Sequence, residues 1–346
     1  MRRFGAAREF ELHTLAGTSF GGLLRPVNSQ GAKSVVAALE SEPEVLPMAL
    51  YAAGGLLVLK GLKDVSAEPS LMLRLSQLLG ENVENYQDNG TPKHLVHEEV
   101  PQIYVVSNAP PVNRWPPPRP VPPRCRDGSL PVTFPHRRGW HTDQSFRRPP
   151  PDISLLYAVQ IAVKGQGQTL FADCAAAFDA LSSPTKSRIE SIFGIHAGFG
   201  AGRSEEDVRN QRPVPALMRH ERPQLQPLIR LHPVTGRRAL YLSDGGQMDW
   251  VDGPFAGMST GLNGDGAKLL YELMEHLTQR AFVYVHEWDR GDMVIFDNRN
   301  LVHSVTWFDA ARYQRTLWRT TVNGNPGKQY DGEKPSWIPD SDDQST

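Results

Sequence analysis

Phe282 to Val322 reads FVYVHEWDRGDMVIFDNRNLVHSVTWFDAARYQRTLWRTTV. Apolar residues come here in short runs: Phe282 to Trp288, Met293 to Phe296, Leu301 to Val305 and Arg315 to Val322. Each run has strand length and is rich in aliphatic and aromatic residues, and Arg290-Gly291 marks a turn. Further strand candidates lie upstream, at Ile153 to Val163, Thr169 to Ala172, Leu228 to His232 and Ala239 to Leu242. Gly165, Gly167 and Thr235-Gly236 supply turn signals between them. One clear helix interrupts the pattern, Ala267 to Gln279, with Leu270, Leu273, Met274 and Leu277 on one face. A shorter one is expected from Ala175 to Leu181, entered by a turn at Asp173-Cys174. Many short strands with few helices predict a mostly β chain with flanking helices. The core expected is a double-stranded β-helix, the cupin-like jelly roll, rather than a parallel α/β sheet.

The first hundred residues read as an α/β lead-in. Ala32 to Tyr51 has helical patches broken by Pro43 and Pro47. Leu56 to Leu59 is a short buried strand. Ser66 to Leu79 reads as a helix with Ser66 as its N-cap. Ile103 to Val106 is the next strand. A proline-rich insert follows, about residues 109–135, whose composition favours extended backbone over ladders or helices. The division implied is an arm at 1–11, a single domain at 12–327, and a tail at 328–346.

Bulk properties exclude several classes. The 346 residues are 39% hydrophobic, enough for a sizeable core. Lys+Arg total 37 and Asp+Glu 38, so no global basic field points to nucleic acid or a membrane surface. Cys125 and Cys174 form neither a metal-spaced motif nor a disulfide framework. No apolar run reaches the ~20 residues needed to cross a bilayer, and no secretory leader is visible. A soluble, cytoplasmic protein acting on a small molecule is expected.

The chemistry begins at Trp140-His141-Thr142-Asp143. On a strand, residues two apart face the same way, so His141 and Asp143 would present an imidazole and a carboxylate to one point. His303, just after the polar cluster Asp297-Asn298-Arg299, is the best third ligand. Together they would make a two-histidine, one-carboxylate set that leaves open positions on Fe(II). Arg315 and Arg319, four apart on one strand, would share a face near the metal. That pairing calls for an anion, most naturally a carboxylate.

These stretches resemble the taurine dioxygenase and chlorophenoxyacetate dioxygenase family of 2-oxoglutarate oxygenases. The matching segments are WHTDQSF (Trp140 to Phe146), GQTLFADCAAAFDALS (Gly167 to Ser182), HPVTGRRALYL (His232 to Leu242) and GDMVIFDNRNLVHSV with QRTLWRTTV (Gly291 to Val322). The resemblance implies Fe(II), 2-oxoglutarate and O2 as cofactor and co-substrates. It implies His141, Asp143 and His303 as iron ligands, and Thr169 and Arg315 as the grip on 2-oxoglutarate. Arg319 matches a position that in some members pairs with an anionic group of the substrate. His97 and Asn108 are further substrate-contact candidates. No residue cleanly matches the substrate histidine of the taurine enzyme, so taurine itself is not implied. The implied reaction oxidises a C–H bond, most simply by hydroxylation, releasing succinate and CO2. A homo-oligomer is implied as well. Two other classes fit the bare residues: a non-catalytic binding protein on the same scaffold, and a zinc hydrolase using the same three ligands.

Overall fold

A computed structural model describes residues 2–4, 9–28, 31–119, 139–244 and 246–338. Cys125, most of the proline-rich insert and Asp340 to Thr346 lie outside the described residues.

Two facing sheets organise the described residues, antiparallel except where Gly22–Pro26 runs parallel to Leu56–Leu59. Nine strands form the larger sheet, with Leu56–Leu59, Met293–Asp297, Ile153–Gln160 and Thr316–Asn323 at its centre. The smaller sheet has three strands, in the order Val283–His286, Thr169–Asp173, Leu301–Val305. All four residues of Leu56–Leu59 are buried because both faces of the sheet are covered. Leu57 and Leu59 enter a core shared with helices, while Leu56 and Val58 enter a core shared with the smaller sheet. Met293 and Ile295 against Val294 and Phe296 repeat that alternation. Helices Ala32–Ser41, Val45–Ala52 and Ser70–Gln77 cover the outer face of the large sheet. Helices Cys174–Ala180 and Asp265–Leu277 cover the outer face of the small one, over Leu170, Ala172, Val283 and Val302. The layers therefore run helix, sheet, sheet, helix.

Several local expectations change. Pro43 does separate two helices, but Pro47 lies in the first turn of Val45–Ala52. An N–H there has no intrahelical acceptor, so its loss costs little. The expected helix from Ser66 to Leu79 is shorter, Ser70–Gln77, and it starts after Pro69 rather than at Ser66. Pro69 is pre-set at φ −59°, and the Ser66 hydroxyl bonds Lys63 O (2.8 Å) within a separate 3-10 turn. Near the chain start, Arg2–Phe4, Phe10–Thr14 and Gly22–Pro26 extend the large sheet. The described part of the C-terminal tail also docks, since Tyr330 is buried and donates to Gln226 Oε1 at 2.7 Å.

Candidate metal centre

His141 and His303 face each other across an isolated antiparallel bridge. His141 N donates to His303 O (2.9 Å) and His303 N to His141 O (2.7 Å). The H-x-D pair is therefore not a regular strand, as the two-residue period suggested. Only His141 is bridged, and the chain turns at Asp143 to Phe146. Asn298 fixes that turn. It accepts from Thr142 Oγ1 at its carbonyl (2.8 Å) and from Asp143 N at its side-chain oxygen (3.1 Å). Of the polar cluster flagged in the sequence, Asn298 is the member that touches the ligand loop. Asp297 and Arg299 instead pair with each other (2.7 Å), away from the donors.

The three predicted ligands converge. Asp143 Oδ1 lies 3.8 Å from His141 Nε2 and 3.9 Å from His303 Nε2. One donor atom from each residue falls within 4.8 Å of the other two. His141 Nδ1 sits 2.6 Å from Gly139 O, so it carries the proton and leaves Nε2 with its lone pair toward the cluster. His303 has no such clamp among the described residues, where its buried Nδ1 has no partner, and its ring packs between Phe171 and Phe296. Burial, then the neighbouring His141, pushes the His303 pKa down to about 3. Burial also lowers His141. For Asp143, burial works upward, but Arg319, His303 and His141 outweigh it and hold the carboxyl well below its usual range. Neutral imidazoles and an ionised carboxylate are the forms that bind a divalent metal.

Ser154, absent from the sequence expectations, completes the carboxylate's setting. Its hydroxyl donates to Asp143 Oδ2 (2.7 Å) and accepts from Asn298 Nδ2 (2.9 Å). Arg319 Nη1 donates to Asp143 Oδ1 (2.7 Å), while its buried Nε has no partner among the described residues. Tyr104 and Tyr86 lie under its guanidinium, at 4.8 and 5.9 Å.

Arg315 meets Thr169, which pairs across the small sheet with Val305, two residues beyond His303. Arg315 Nε donates to Gly167 O (2.9 Å) and Nη2 to Thr169 Oγ1 (3.3 Å). Gly167, at φ 65°, permits this approach, because a Cβ there would lie 3.0 Å from Arg315 Cδ. No carboxylate among the described residues pairs with this guanidinium. Burial, then the Arg114 charge, lowers its pKa to about 10. A buried cation without a counter-ion is costly, and a ligand carboxylate removes the cost. The donor chemistry thus fits both a divalent metal and a dicarboxylate.

The remaining candidates stand differently. Asn108 is used up within the fold: Oδ1 accepts from Arg315 N (2.8 Å) and Nδ2 donates to Tyr313 O (3.0 Å). It positions the loop before Arg315. His97 is not brought to the cluster. Its ring meets Trp318 edge-on (4.7 Å), and Trp318 faces the helix-side core while Arg319 faces Asp143. Its Nδ1 accepts from Glu99 N (3.2 Å). Two residues the sequence did not flag act on the donor set. Phe199, 55% exposed, lies edge-on to His141 at 5.9 Å. Exposed Arg114 acts electrostatically on His141, His303 and Arg315. No motif or spacing rule links either to the triad.

A mostly β scaffold carrying two histidines and a carboxylate at one point defines a metal-binding class with open coordination positions. Residues 36–321 match the family described as "Taurine catabolism dioxygenase TauD, TfdA family", and the chain belongs to it. It is 35% identical over 188 residues to the alpha-ketoglutarate-dependent 2,4-dichlorophenoxyacetate dioxygenase of Cupriavidus pinatubonensis, covering 53% of this chain and 59% of that one. It is 32% identical over 169 residues to the alpha-ketoglutarate-dependent sulfonate dioxygenase of Saccharomyces cerevisiae, covering 48% and 37%. The chain thus spans about three fifths of the first of these curated relatives. Among solved structures it resembles AAD-2 in complex with Mn(II) and N-oxalylglycine, with TM-score 0.62, 26% identity, and coverage of 91% of this chain and 98% of that one.

Proposed function

We propose that this chain is an Fe(II)- and 2-oxoglutarate-dependent dioxygenase that oxidises, most simply hydroxylates, a C–H bond of a small anionic substrate. The observation that carries the proposal is Arg315: a buried guanidinium with no carboxylate partner among the described residues, bonded to Thr169 on the strand that pairs with that of His303, one of three convergent metal donors. His141, Asp143 and His303 would hold the metal. With 2-oxoglutarate and O2, the iron supplies oxidative decarboxylation to succinate and CO2 together with the oxidising equivalent for the C–H bond. Arg315 and Thr169 would grip the far carboxylate of 2-oxoglutarate and fix its orientation. Ser154 and Asn298 keep Asp143 aimed at the donor point. Arg319 and Arg114 add positive charge that favours an anionic substrate, and Phe199 offers an apolar wall beside His141. The named relatives act on a phenoxyacetate and on sulfonates, both anions, which agrees with this charge.

The two facing sheets support a double-stranded β-helix core, because Leu156, Ala158, Val294 and Phe296 of one meet Phe171 and Leu301 of the other. One catalytic domain over 12–327, a homo-oligomer and a cytoplasmic location complete the proposal. No described helix is long and apolar enough to cross a membrane.

Anaerobic titration of the Fe(II)-loaded protein with 2-oxoglutarate tests the reading. A visible charge-transfer band should grow in wild type. In Arg315→Lys the band should need about ten- to a hundredfold more co-substrate, the size of a lost charge-assisted hydrogen-bond fork. Iron bound without any band in wild type would overturn the proposal.

A further inference from the structure

Thr169 Oγ1 receives two hydrogen bonds. Trp288 Nε1 donates to it at 3.0 Å and Arg315 Nη2 at 3.3 Å. The polarity of both is fixed by chemistry. An indole nitrogen only donates, and so does a guanidinium. Both lone pairs of the threonine oxygen are therefore taken, and its own proton is left to a third direction. No described residue accepts it. Thr169 is 2% exposed, so bulk water does not serve it well either. A buried hydroxyl without an acceptor is unfavourable until one arrives.

We infer that Trp288 is a positioning residue: by donating to Thr169 Oγ1 it forces the threonine hydroxyl to act as a donor toward the distal carboxylate of the co-substrate. Asparagine, histidine, tyrosine or serine at 288 could also accept, leaving the hydroxyl free to turn back; tryptophan cannot. The indole is itself immobile. Trp288 is 3% exposed in the core between the sheets, and His286 meets it edge-on at 4.4 Å. Strand pairing adds rigidity, because His286 is the cross-strand neighbour of Thr169. The pocket thus offers an outward O–H beside outward guanidinium N–H groups, a set that matches the two oxygens of one carboxylate. This inference rests on the function proposed above, in which Arg315 and Thr169 bind 2-oxoglutarate.

The test is a double-mutant cycle read by anaerobic calorimetry, titrating N-oxalylglycine into Mn(II)-loaded protein. Trp288→Phe keeps a ring and loses the N–H; Kd should rise about three- to tenfold, the scale of one neutral hydrogen bond. Thr169→Val should weaken binding at least as much, and Thr169→Ser should restore it. The double variant should bind no more weakly than Thr169→Val alone, because Trp288 acts through that hydroxyl. Mn(II) affinity should stay at the wild-type value in Trp288→Phe. If the phenylalanine variant does not fold, benzothienylalanine at 288 preserves the bicyclic shape, lacks the N–H, and should give the same rise. Unchanged Kd in these variants, or fully additive losses in the double variant, would overturn the role of Trp288 and leave the function standing. Failure of wild type itself to bind N-oxalylglycine with Mn(II) in place would overturn the proposed function, and this inference with it.

Discussion

Ser154 shows how much of a metal ligand's behaviour is decided by what lies behind it. Its hydroxyl donates to Asp143 Oδ2 and accepts from Asn298 Nδ2, so the outer carboxylate oxygen is tethered while Oδ1 faces both histidines. Ser154→Ala removes the tether and leaves Asn298 Nδ2 without this acceptor. Partners of this kind are commonly worth ten- to a hundredfold in metal affinity. Mn(II) affinity, measured by competition with a chelating dye, should therefore fall about tenfold, with little change in thermal midpoint. Affinity equal to wild type would show that Arg319, donating to Oδ1, and the turn held by Asn298 orient the carboxylate without Ser154. The two histidines contrast in the same way. His141 is oriented by a hydrogen bond to Gly139 O, whereas His303 is oriented by packing against Phe171 and Phe296. Sequence reading reached the three ligands because their residue types and order carry the chemistry. It missed Ser154 and Trp288 because their roles are set by cross-strand neighbours, and no local spacing records which strand lies beside which.

At the scale of elements, the turn between the Val283–His286 and Met293–Asp297 strands was legible as Arg290-Gly291, and its glycine is required for two separable reasons. Gly291 has φ 85°, which side chains rarely adopt, and a Cβ there would stand 3.0 Å from Lys63 N and 3.2 Å from Lys63 Cα. The backbone cannot yield easily, since Leu62 N donates to Gly291 O at 2.8 Å. Gly291→Ala should destabilise the protein by about 1–3 kcal/mol, from left-handed strain plus the displaced contact. Urea unfolding measures this, and an unchanged midpoint would mean the turn relaxes freely. Strands rich in aliphatic residues, such as Met293–Asp297 and Leu301–Val305, were readable for the same reason: burial on both faces leaves a continuous apolar signature. The strands Phe10–Thr14 and Gly22–Pro26 were not, because partly exposed and exposed positions interrupt the pattern. Helix Ser70–Gln77 was read too long because apolar weight continues on both sides of it, while the start is decided by Pro69.

Across the whole molecule, one buried network joins layers that are distant in sequence. Asp297 Oδ1 accepts from Arg299 Nε (2.8 Å), and Oδ2 accepts from Arg299 Nη2 (2.7 Å) and His232 Nε2 (2.8 Å). His232 Nδ1 accepts from Val234 N and Thr235 N at 3.1 Å, so Nε2 carries a proton and points it at Asp297. Arg299 continues to Asn325 O (2.7 Å) and the Tyr51 hydroxyl (3.3 Å), linking the helix layer, the hairpin at His232 and the C-terminal segment. Burial on its own would raise the Asp297 pKa, but the charge and hydrogen bonds of Arg299, then His232, hold it well below the usual carboxylate range. A carboxylate with a depressed folded-state pKa stabilises the fold above its unfolded pKa, about 4, and loses that contribution as pH falls toward the folded value. Asp297→Asn leaves the Arg299 charge buried and unpaired, which should cost about 3–5 kcal/mol at neutral pH. The gap between wild type and variant should then narrow below about pH 4, because unfolded wild type takes up a proton at residue 297 that the variant cannot. Thermal midpoints at neutral, mildly acidic and strongly acidic pH resolve this. A gap that stays constant across that range would mean the destabilisation comes from packing around the amide, not from the buried charge pair. Because Asn298 follows Asp297 directly and fixes the Asp143 turn, weakened Mn(II) binding should accompany the loss of stability at neutral pH.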